Sequence, residues 1–321
     1  MAQRQHDPTI AMTTTCHSTY ASSLSAHRRR GWRNATRDLL DDQVPATIEC
    51  VIERLTPDDL DACLALAQDR DWPPERHKWR LLLDIGTVLG VRDGDGRVIA
   101  TTILTRYGND LAAISMVLVA KHHERQGIGG ALMTQAIAEA GSATVVLNAT
   151  EYGRPLYERL GFVTVGRTFT HIGHFTGGEE GISRPTDPAD QAAIHRLDTE
   201  VNGADRKILI DRLPAFAAQV RAVERQGSIS GYAGAWPNHG NTVIGPVIAG
   251  SPADAAGLIA DLAAGVEGPI RLDLDDRHPE LHGWAVDRGL ELSTSTVVMA
   301  LGGPLPGDRR RWFVPMMQAL G

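Results

Sequence analysis

The feature that most constrains the fold is a stretch over residues 114–132, in which an apolar run, a short polar break and a cluster of glycines follow one another. Residues 114–120 are β-branched and apolar enough to form a buried strand. Gly127, Gly129 and Gly130 then precede a helical pattern of apolar residues. Glycines let a backbone approach a ligand closely, and the free N–H groups of a helix start attract anions. The stretch therefore predicts a phosphate-binding turn, with an ordinary glycine-rich turn as the alternative.

Two separated segments carry a resemblance to a known family. The first is the glycine loop after the predicted strand, made of Arg125, Gln126, Gly127, Ile128, Gly129 and Gly130. The second is LYERLGF over residues 156–162, which follows another predicted strand at residues 145–148. With these two pieces in this order, the chain resembles the GNAT superfamily of acyl-CoA-dependent N-acyltransferases.

The resemblance extends to the tandem-GNAT bacterial acetyltransferases of the YitH type and covers nearly everything after residue 46. It rests on residues 114–119, 147–150, 205–206, 227–234, 244–249 and 316–321. It implies an α/β (α+β) fold of two tandem GNAT-like domains, each a mixed central sheet flanked by helices. We predict a disordered N-terminal extension at 1–46, a catalytic GNAT N-acetyltransferase domain at 47–176, a linker at 177–182 and a degenerate second GNAT-like domain at 183–321.

The C-terminal half repeats the order of elements predicted for the N-terminal half, which indicates an internal duplication. The sequence SPADAA at residues 251–256 stands where the glycine loop should be, so we expect no CoA binding of the usual kind there. This half could cover the sheet of the first domain, or it could supply a wall of the acceptor pocket at the domain interface. Asp205 and Arg206 are candidates for that wall, with an exposed ion pair as the alternative.

Composition and charge limit the classes of function. The 321 residues suffice for two domains with their own cores, and 42% apolar with 22% charged residues is typical of a soluble globular protein. A net charge of -7 argues against a nucleic-acid partner, and no apolar run is long enough for a transmembrane helix. Cys16, Cys50 and Cys63 lack CxxC spacing, which argues against a disulfide framework or zinc site. Residues 1–46 offer little to bury, hence the predicted disorder.

We therefore expect a cytoplasmic protein, monomeric or homodimeric, with no metal and with neither a nucleic-acid nor a membrane partner. The resemblance implies acetyl-CoA as co-substrate. Its pantetheine arm would pair with Val117, Leu118 and Val119, where a gap in strand pairing leaves backbone donors free, and its pyrophosphate would lie on the glycine loop. The family pattern starts this loop with Gln or Arg, whereas this chain has Glu124 there. A carboxylate cannot donate to a pyrophosphate, so we expect weakened CoA affinity, with charge supplied by Arg125 or Lys121.

Direct acyl transfer needs a neutral amine, a polarised thioester carbonyl and a proton for the departing thiolate. The resemblance assigns the proton donor to Tyr157, and the alternative is that Tyr157 only packs and hydrogen-bonds the cofactor. No general base is assigned, since Asp71, Glu151, His171 and a water chain all remain open.

Candidate contacts to the acceptor come from the helix-loop-helix that covers the acceptor site in this fold and from the ends of strands. They are Asp71, Trp72, Tyr107 and Thr150. Asn148 is a further polar candidate at the end of the same strand as Thr150. Trp79 is assigned to the core because buried area dominates the usual role of aromatic residues.

The function predicted from the sequence is an acetyl-CoA-dependent N-acetyltransferase that transfers an acetyl group directly to the amine of a small molecule. The alternative is a CoA-binding sensor or regulatory module with little turnover, which Glu124 and the missing base would explain. A structural interaction protein on a decayed fold is a third class, and the intact Tyr157 and loop glycines argue against it.

Overall fold

The computed structural model describes residues 51–321. The predicted disordered extension at residues 1–46 lies outside the described residues, as do the first residues of the predicted first domain.

The N-terminal half has the predicted order of one strand, two helices, three strands, helix, strand, helix and strand. The elements are β1 (Ile52–Leu55), α1 (Leu60–Asp69), α2 (Arg76–Ile85), β2 (Thr87–Arg92), β3 (Val98–Tyr107), β4 (Leu111–Val119), α3 (Ile128–Ala140), β5 (Thr144–Ala149), α4 (Arg154–Arg159) and β6 (Val163–Gly173). A capping box starts the first helical turn, because the backbone N–H of Thr56 donates to Asp59 Oδ2 at 2.8 Å.

The C-terminal half repeats this order with one extra short helix and one extra strand. Its elements are β7 (Arg184–Pro185), α5 (Gln191–Asn202), α6 (Lys207–Ile210), α7 (Leu213–Phe216), β8 (Gln219–Arg225), β9 (Ser228–Asn238), β10 (Asn241–Ile248), α8 (Pro252–Ala263), β11 (Ile270–Asp275), α9 (Pro279–Asp287), β12 (Leu290–Leu301) and β13 (Trp312–Val314). Gly161 and Gly289 precede the last long strand of each half with φ values of 88° and 87°. This matching left-handed turn agrees with an internal duplication.

All the strands belong to one continuous sheet in which the two halves exchange a strand. The order is β1-β2-β3-β4-β5-β12-β6-β11-β10-β9-β8-β7, and β13 pairs with β10. Thus β12 lies between β5 and β6, with Val297 opposite both Ala149 and Arg167. In return β6 pairs with β11, with Phe169 opposite Leu274. The domain limits at residues 176 and 183 stay a prediction, and the sheet itself has no break there.

Three hydrophobic cores pack against this sheet. One is shared by both halves, since it joins residues of α1 and α2 to residues of α5, α7, β9 and the C-terminal segment. A second core lies between α3, α4 and the first half of the sheet, and a third lies between α8, α9 and the second half. Trp79 is fully buried in the shared core, as the sequence predicted. The shared core and the exchanged strands together fix the relative positions of the halves.

A buried ion pair lies inside the C-terminal half. Arg206 donates to both oxygens of Asp198 at 3.0 and 2.6 Å, and both residues are 1% exposed. The Tyr232 hydroxyl also donates to Asp198, and the Arg206 guanidinium lies 5.8 Å from the ring centre of Tyr107. Arg206 is therefore neither paired with Asp205 nor exposed, and it does not line an acceptor pocket. It connects the C-terminal half to the core beneath the N-terminal half.

Removing Asp198 should destabilise the protein strongly, because Arg206 would then be a buried charge without a partner. Asp198→Ala is expected to lower the free energy of unfolding by about 3–5 kcal/mol, as measured by urea denaturation. Asp61→Ala serves as the control, since the Asp61–Arg76 pair is 82% and 49% exposed, and it should stay within about 1 kcal/mol of the parent. Equal losses in the two variants would contradict this account of the buried pair.

Candidate active site

The site begins where β4 and β5, two neighbouring parallel strands, part from each other. They pair over only three steps, from Leu111 opposite Thr144 to Ala113 opposite Val146. Beyond these pairs the strands diverge and leave a cleft of about 510 Å³ between them. The backbone of β4, the glycine loop and α4 line this cleft, so the phosphate-binding turn predicted from the sequence opens onto it.

A β-bulge distorts β4 at the point where the strands diverge. Met116 and Val117 together face the single residue Thr102 of β3. Met116 has a φ of 49°, and the Thr101 hydroxyl donates to its carbonyl at 2.9 Å. A bulge takes backbone groups out of the ladder, and β5 no longer pairs with β4 beyond Ala113. The edge of β4 that faces the cleft can therefore offer N–H donors to a ligand. Residues 117–119, the segment predicted to bind pantetheine, all line the cleft.

The glycine loop adopts a conformation suited to an anion. Arg125 and Gly127 have φ values of 57° and 83°, and Gly127 is the N-cap of α3 without a capping side chain. The first N–H groups of α3 are therefore left for a ligand, and the helix dipole favours negative charge there. Of the predicted loop residues, Arg125, Gly127, Ile128, Gly129 and Gly130 line the cleft. Gln126 lies outside the lining, with Nε2 at 3.5 Å from the His122 carbonyl.

Glu124, the departure from the family pattern, is neutralised by a residue from another part of the chain. Its carboxylate forms an ion pair with Arg70, which directly follows α1. The Tyr152 hydroxyl and the Arg70 guanidinium hold the pKa of Glu124 below its ordinary value, and the Arg70 guanidinium lies 5.6 Å from the Tyr152 ring centre. All three side chains line the cleft. The Arg70 guanidinium therefore neutralises the negative charge that Glu124 would otherwise place beside a bound phosphate.

Tyr157 lies in the wall of the cleft on α4. Its side chain packs edge-on against Phe162, with ring centres 6.1 Å apart, and the residue is 8% exposed. Burial raises the pKa of the Tyr157 hydroxyl to about 12. The phenol therefore keeps its proton at physiological pH and can act as a hydrogen-bond donor in the cleft.

A second cavity of about 370 Å³ adjoins the cleft. The two linings share Trp72, Ile114, Ser115, Met116, Asn148 and Thr150. The rest of the second lining comes from the start of α2 and from the C-terminal half, and it includes four charged residues, Glu75, Lys78, Arg271 and Asp273. A ligand that enters the cleft along β4 thus reaches a space that both halves of the chain enclose.

The corresponding cleft of the C-terminal half is closed. There β10 and β11 pair in parallel at Thr242 and Val243, and β13 then pairs with β10 on the same side, with Val314 opposite Val247. The start of α8 is also capped, because the Asp254 N–H donates to Ser251 Oγ at 3.1 Å. Both features support the prediction that this half does not bind CoA in the usual way.

Comparison with known proteins identifies the family. Acetyltransferase (GNAT) domain families match residues 86–174 and residues 194–314, and together they cover well over half of the chain. The chain belongs to the GNAT acetyltransferases. It is an acyltransferase built from tandem GNAT units, so the predicted α/β fold and family are confirmed.

Individual relatives agree with this assignment. The chain is 27% identical over 275 residues to the uncharacterized N-acetyltransferase YitH of Bacillus subtilis strain 168, which covers 84% of this chain and 97% of YitH. The fold of this chain is similar to that of a crystal structure from Pyrococcus horikoshii with an acetyltransferase assignment. The TM-score is 0.71 at 20% identity, and the match covers 88% of this chain and 98% of the other. A tandem GNAT protein from the clavulanic acid biosynthesis pathway has a TM-score of 0.56 at 15% identity, with coverage of 79% and 99%.

The structure places two of the four predicted acceptor contacts in the cavities and the other two outside them. Trp72 and Thr150 line both cavities. Asp71 lies outside both linings and forms an exposed ion pair with Lys121 at 2.7 Å. Tyr107 is fully buried, and its hydroxyl donates to the Leu320 carbonyl at 2.8 Å. The placement of Asp71 and Tyr107 gives no support to a substrate role, and we drop both from the site.

The three side chains considered as general bases are not brought to the cavities. His171, with a pKa lowered mainly by burial, packs against His282 with ring centres 5.2 Å apart. Glu151 is 69% exposed and lies near Arg154 and Arg167. Neither these two nor Asp71 lines either cavity.

Asn148 lines both cavities, yet its side chain holds the C-terminal segment in place. Asn148 Nδ2 donates to the Gln318 carbonyl at 2.9 Å. Its Oδ1 accepts from the hydroxyls of Thr168 and Thr296, both at 3.2 Å. The amide thus links β5, β6 and β12 to the segment that closes the second cavity.

Sequence reasoning missed the four charged residues of the second cavity. Two come from the start of α2 and two from β11, so only the exchanged sheet brings them together. One signal was present in the strand IRLDLD, where Arg271, Asp273 and Asp275 share one face and alternate with apolar residues. Charged side chains at alternate positions of a buried strand indicate a polar site.

Residues 51–321 contain no helix that is long and apolar enough to span a membrane. The same stretch contains no cluster of three or more His, Cys, Asp or Glu side chains with the geometry to hold a metal ion.

The Arg70–Glu124 pair should be necessary for tight CoA binding, because an unpaired Glu124 carboxylate would repel the phosphates. Arg70→Ala is expected to weaken CoA binding about tenfold in isothermal titration calorimetry. Arg70→Ala combined with Glu124→Gln should recover most of that loss, since the repelling charge is then absent. Arg76→Ala, outside the cleft, is the control. A double variant as weak as Arg70→Ala alone would show that Arg70 does not act by neutralising Glu124.

Proposed function

We propose that the protein is an acetyl-CoA-dependent N-acetyltransferase that transfers the acetyl group directly to the amine of a small molecule. The observation that carries the proposal is one open cleft that combines an uncapped helix start, a bulged strand edge and a protonated tyrosine. This cleft is continuous with a second cavity that has room for an acceptor. Because the matching cleft of the C-terminal half is filled by β13, the chain would have one working site.

The donor would bind along the diverging strands. The N–H groups at the start of α3 are suited to the pyrophosphate, Arg125 adds positive charge beside them, and Arg70 neutralises Glu124. The pantetheine arm would pair with the backbone of residues 117–119, which extends β4 toward the gap left by β5. The thioester would then lie near the bulge at Met116, where both cavities meet.

Acetyl-CoA supplies an activated acetyl group on a thiol leaving group. At the bulge, a backbone N–H of β4 would stabilise the negative charge that develops on the thioester carbonyl oxygen. The amine nitrogen forms the new bond to the carbonyl carbon as the carbon–sulfur bond breaks. Tyr157 donates a proton to the departing sulfur, the amine nitrogen releases a proton to water, and Tyr157 regains a proton from water, so that the products are the N-acetylated amine and CoA.

The raised pKa of Tyr157 limits how it acts. With a pKa of about 12, the phenol is a weaker acid than an ordinary thiol, whose pKa is about 8.5. Tyr157 therefore stabilises the leaving sulfur mainly by hydrogen bonding, because transfer of its proton to the less basic thiolate is unfavourable unless Tyr157 regains the proton that the amine releases. Its position in the cleft wall matters more than its acidity.

Acetyl-CoA should stabilise the protein against heat through the glycine loop. At about a hundredfold excess over Kd, it is expected to raise Tm by about 5 °C in differential scanning fluorimetry. Gly129→Trp should abolish this shift, because a Cβ at Gly129 already lies 3.5 Å from Val119 Cγ2 and 3.7 Å from Leu156 Cδ2. Gly283→Trp is the matched control, since a Cβ at this helical glycine of α9 meets nothing within 4 Å.

Three outcomes of that experiment separate the hypotheses. A shift in the parent and the control but not in Gly129→Trp, together with acetyl transfer in an amine screen, supports the enzyme. A shift without acetyl transfer to any amine supports the CoA-binding sensor. The absence of a shift in every variant would rule out CoA binding at this loop.

Tyr157→Phe should lower kcat by about 10²-fold while the KM for acetyl-CoA changes little, because only the hydroxyl that serves the leaving sulfur is lost. In the parent, the pKa of Tyr157 near 12 predicts no loss of activity from its ionisation between pH 7 and pH 10. Both effects can be measured from steady-state rates of thiol release. Unchanged kcat in Tyr157→Phe would eliminate the acid role and leave only a packing role.

A further inference from the structure

The second cavity has a charged floor that the proposed acyl transfer does not use. This charged floor consists of Lys78, Glu75, Arg271 and Asp273, and each half of the chain contributes one acid and one base. Glu75 and Asp273 are 7% and 1% exposed. Lys78 forms an ion pair with Glu75, Arg271 Nη1 lies 4.0 Å from Glu75 Oε1, and Arg271 Nη2 lies 3.0 Å from Asp273 Oδ2. The four groups form a row of alternating charges.

The carboxylates of this row already have their hydrogen-bond partners inside the protein. One oxygen of Glu75 accepts from Lys78 Nζ, and the other accepts from Asn238 Nδ2 at 3.0 Å. The Asp273 carboxylate accepts four hydrogen bonds of 2.7–3.0 Å, from Arg271 Nε, Arg271 Nη2, Thr170 Oγ1 and Gln318 Nε2. Each acidic oxygen therefore already has at least one donor from the protein, and an ammonium ion in the cavity would compete with Lys78 and Arg271 for these oxygens.

The cations of the row have donors to spare. A lysine ammonium carries three N–H groups and a guanidinium carries five. Among residues 51–321, Lys78 donates one hydrogen bond to Glu75, and Arg271 directs Nε and Nη2 to Asp273. Since both residues line the cavity, the remaining hydrogen-bonding capacity of the charged floor is cationic and donating. That capacity is complementary to an anion.

We propose that the acceptor is a small aminocarboxylate whose carboxylate binds to Lys78 and Arg271 while its amine reaches the boundary of the two cavities. The proposal rests on the proposed N-acetyltransferase function and specifies its substrate class. The reaction would convert an amino acid and acetyl-CoA to an N-acetyl amino acid and CoA, with the carbon–nitrogen bond formed as the carbon–sulfur bond breaks.

Apolar side chains form the other walls of the second cavity. Trp72, Trp236 and Met317 line the same cavity as the charged floor, and Trp236 is fixed because its Nε1 donates to the Met316 carbonyl at 3.0 Å. A cavity of about 370 Å³ is within the range of small-molecule sites. An amino acid with an apolar side chain, such as leucine, methionine or phenylalanine, fits both the charged floor and these walls.

The charge state of Lys78 makes the binding of a carboxylate depend on pH. Burial and the neighbouring Arg271 lower the pKa of Lys78 to about 7, while Asp273 opposes the shift. Glu75, Arg271 and Asp273 are the charged groups that share the charged floor with it. Lys78 is cationic below this pKa and neutral above it, so the affinity for a carboxylate should fall as the pH rises through about 7.

The first experiment compares matched amines as acceptors. Leucine, methionine and phenylalanine are each tested against their amides and against the amines that lack the carboxylate. We expect kcat/KM to be at least about tenfold higher for the amino acids, which is the difference made by one charge-assisted contact. Acetylation of the amides and amines at equal efficiency would overturn the substrate class and leave the acetyltransferase function in place. The absence of transfer to any amine, together with no stabilisation by acetyl-CoA, would overturn both.

The second experiment measures binding without catalysis, using N-acetyl-L-leucine in the presence of CoA. This product-like ligand has a carboxylate and no titrating amine, so a change in its affinity between pH 6 and pH 9 does not come from its own ionisation, and N-acetyl-leucinamide reports any change that comes from CoA. Calorimetry should show binding to the parent that weakens about tenfold over that interval, and N-acetyl-leucinamide should bind weakly at every pH. Binding of the two ligands with equal affinity would overturn the proposal.

Variants of Lys78 assign the effect to the charged floor. Lys78→Gln should lower the affinity for N-acetyl-L-leucine about tenfold at pH 6 and leave the affinity for acetyl-CoA unchanged. Lys78→Arg should keep the affinity and remove its pH dependence, because arginine stays charged. Lys207→Gln, at a lysine that is 64% exposed, is the surface control. A pH dependence that persists in Lys78→Arg would contradict the role given to Lys78.

Discussion

The exchange of β6 and β12 between the halves is the constraint on which the rest of the structure depends. Each of these strands forms its backbone hydrogen bonds with strands of the other half, so neither half can complete its sheet alone. The exchange also places β11 beside β6, which brings Arg271 and Asp273 to the cavity that α2 and β4 border. The proposed acceptor site is therefore a consequence of the same pairing that holds the halves together.

The two GNAT units differ at the position of the cleft, and the physical reasons can be identified. In the N-terminal half the helix start is uncapped at Gly127, and the gap beside β4 is open. In the C-terminal half Ser251 caps α8 and β13 fills the gap. The chain after β13 then continues to the first site, where Gln318 bonds to Asn148 and Asp273. The half whose own cleft is closed supplies a wall of the second cavity.

Local sequence patterns were sufficient for much of this description. The order of the N-terminal elements follows from periodicity and turn residues, and Trp79 is buried as the usual role of aromatic residues predicted. The glycine loop and Tyr157 line the cleft because both belong to motifs that are continuous in sequence. The expectations that were wrong concern side chains whose surroundings are non-local. Arg206 was expected at an exposed pair or a pocket wall, and it is instead buried against Asp198.

The sequence by itself determined the order of the N-terminal elements, the family and the position of the glycine loop at the start of α3, because each depends on residues a few positions apart. Only the tertiary structure decided that Arg70 neutralises Glu124, that Tyr107 and Asp71 lie outside the site, and that a charged floor borders the cleft. The Arg70–Glu124 contact joins residues 54 positions apart, and the charged floor depends on strands that pair across more than a hundred residues of chain. Such pairing is set by the packing of the whole sheet and its shared core, and no local pattern encodes it.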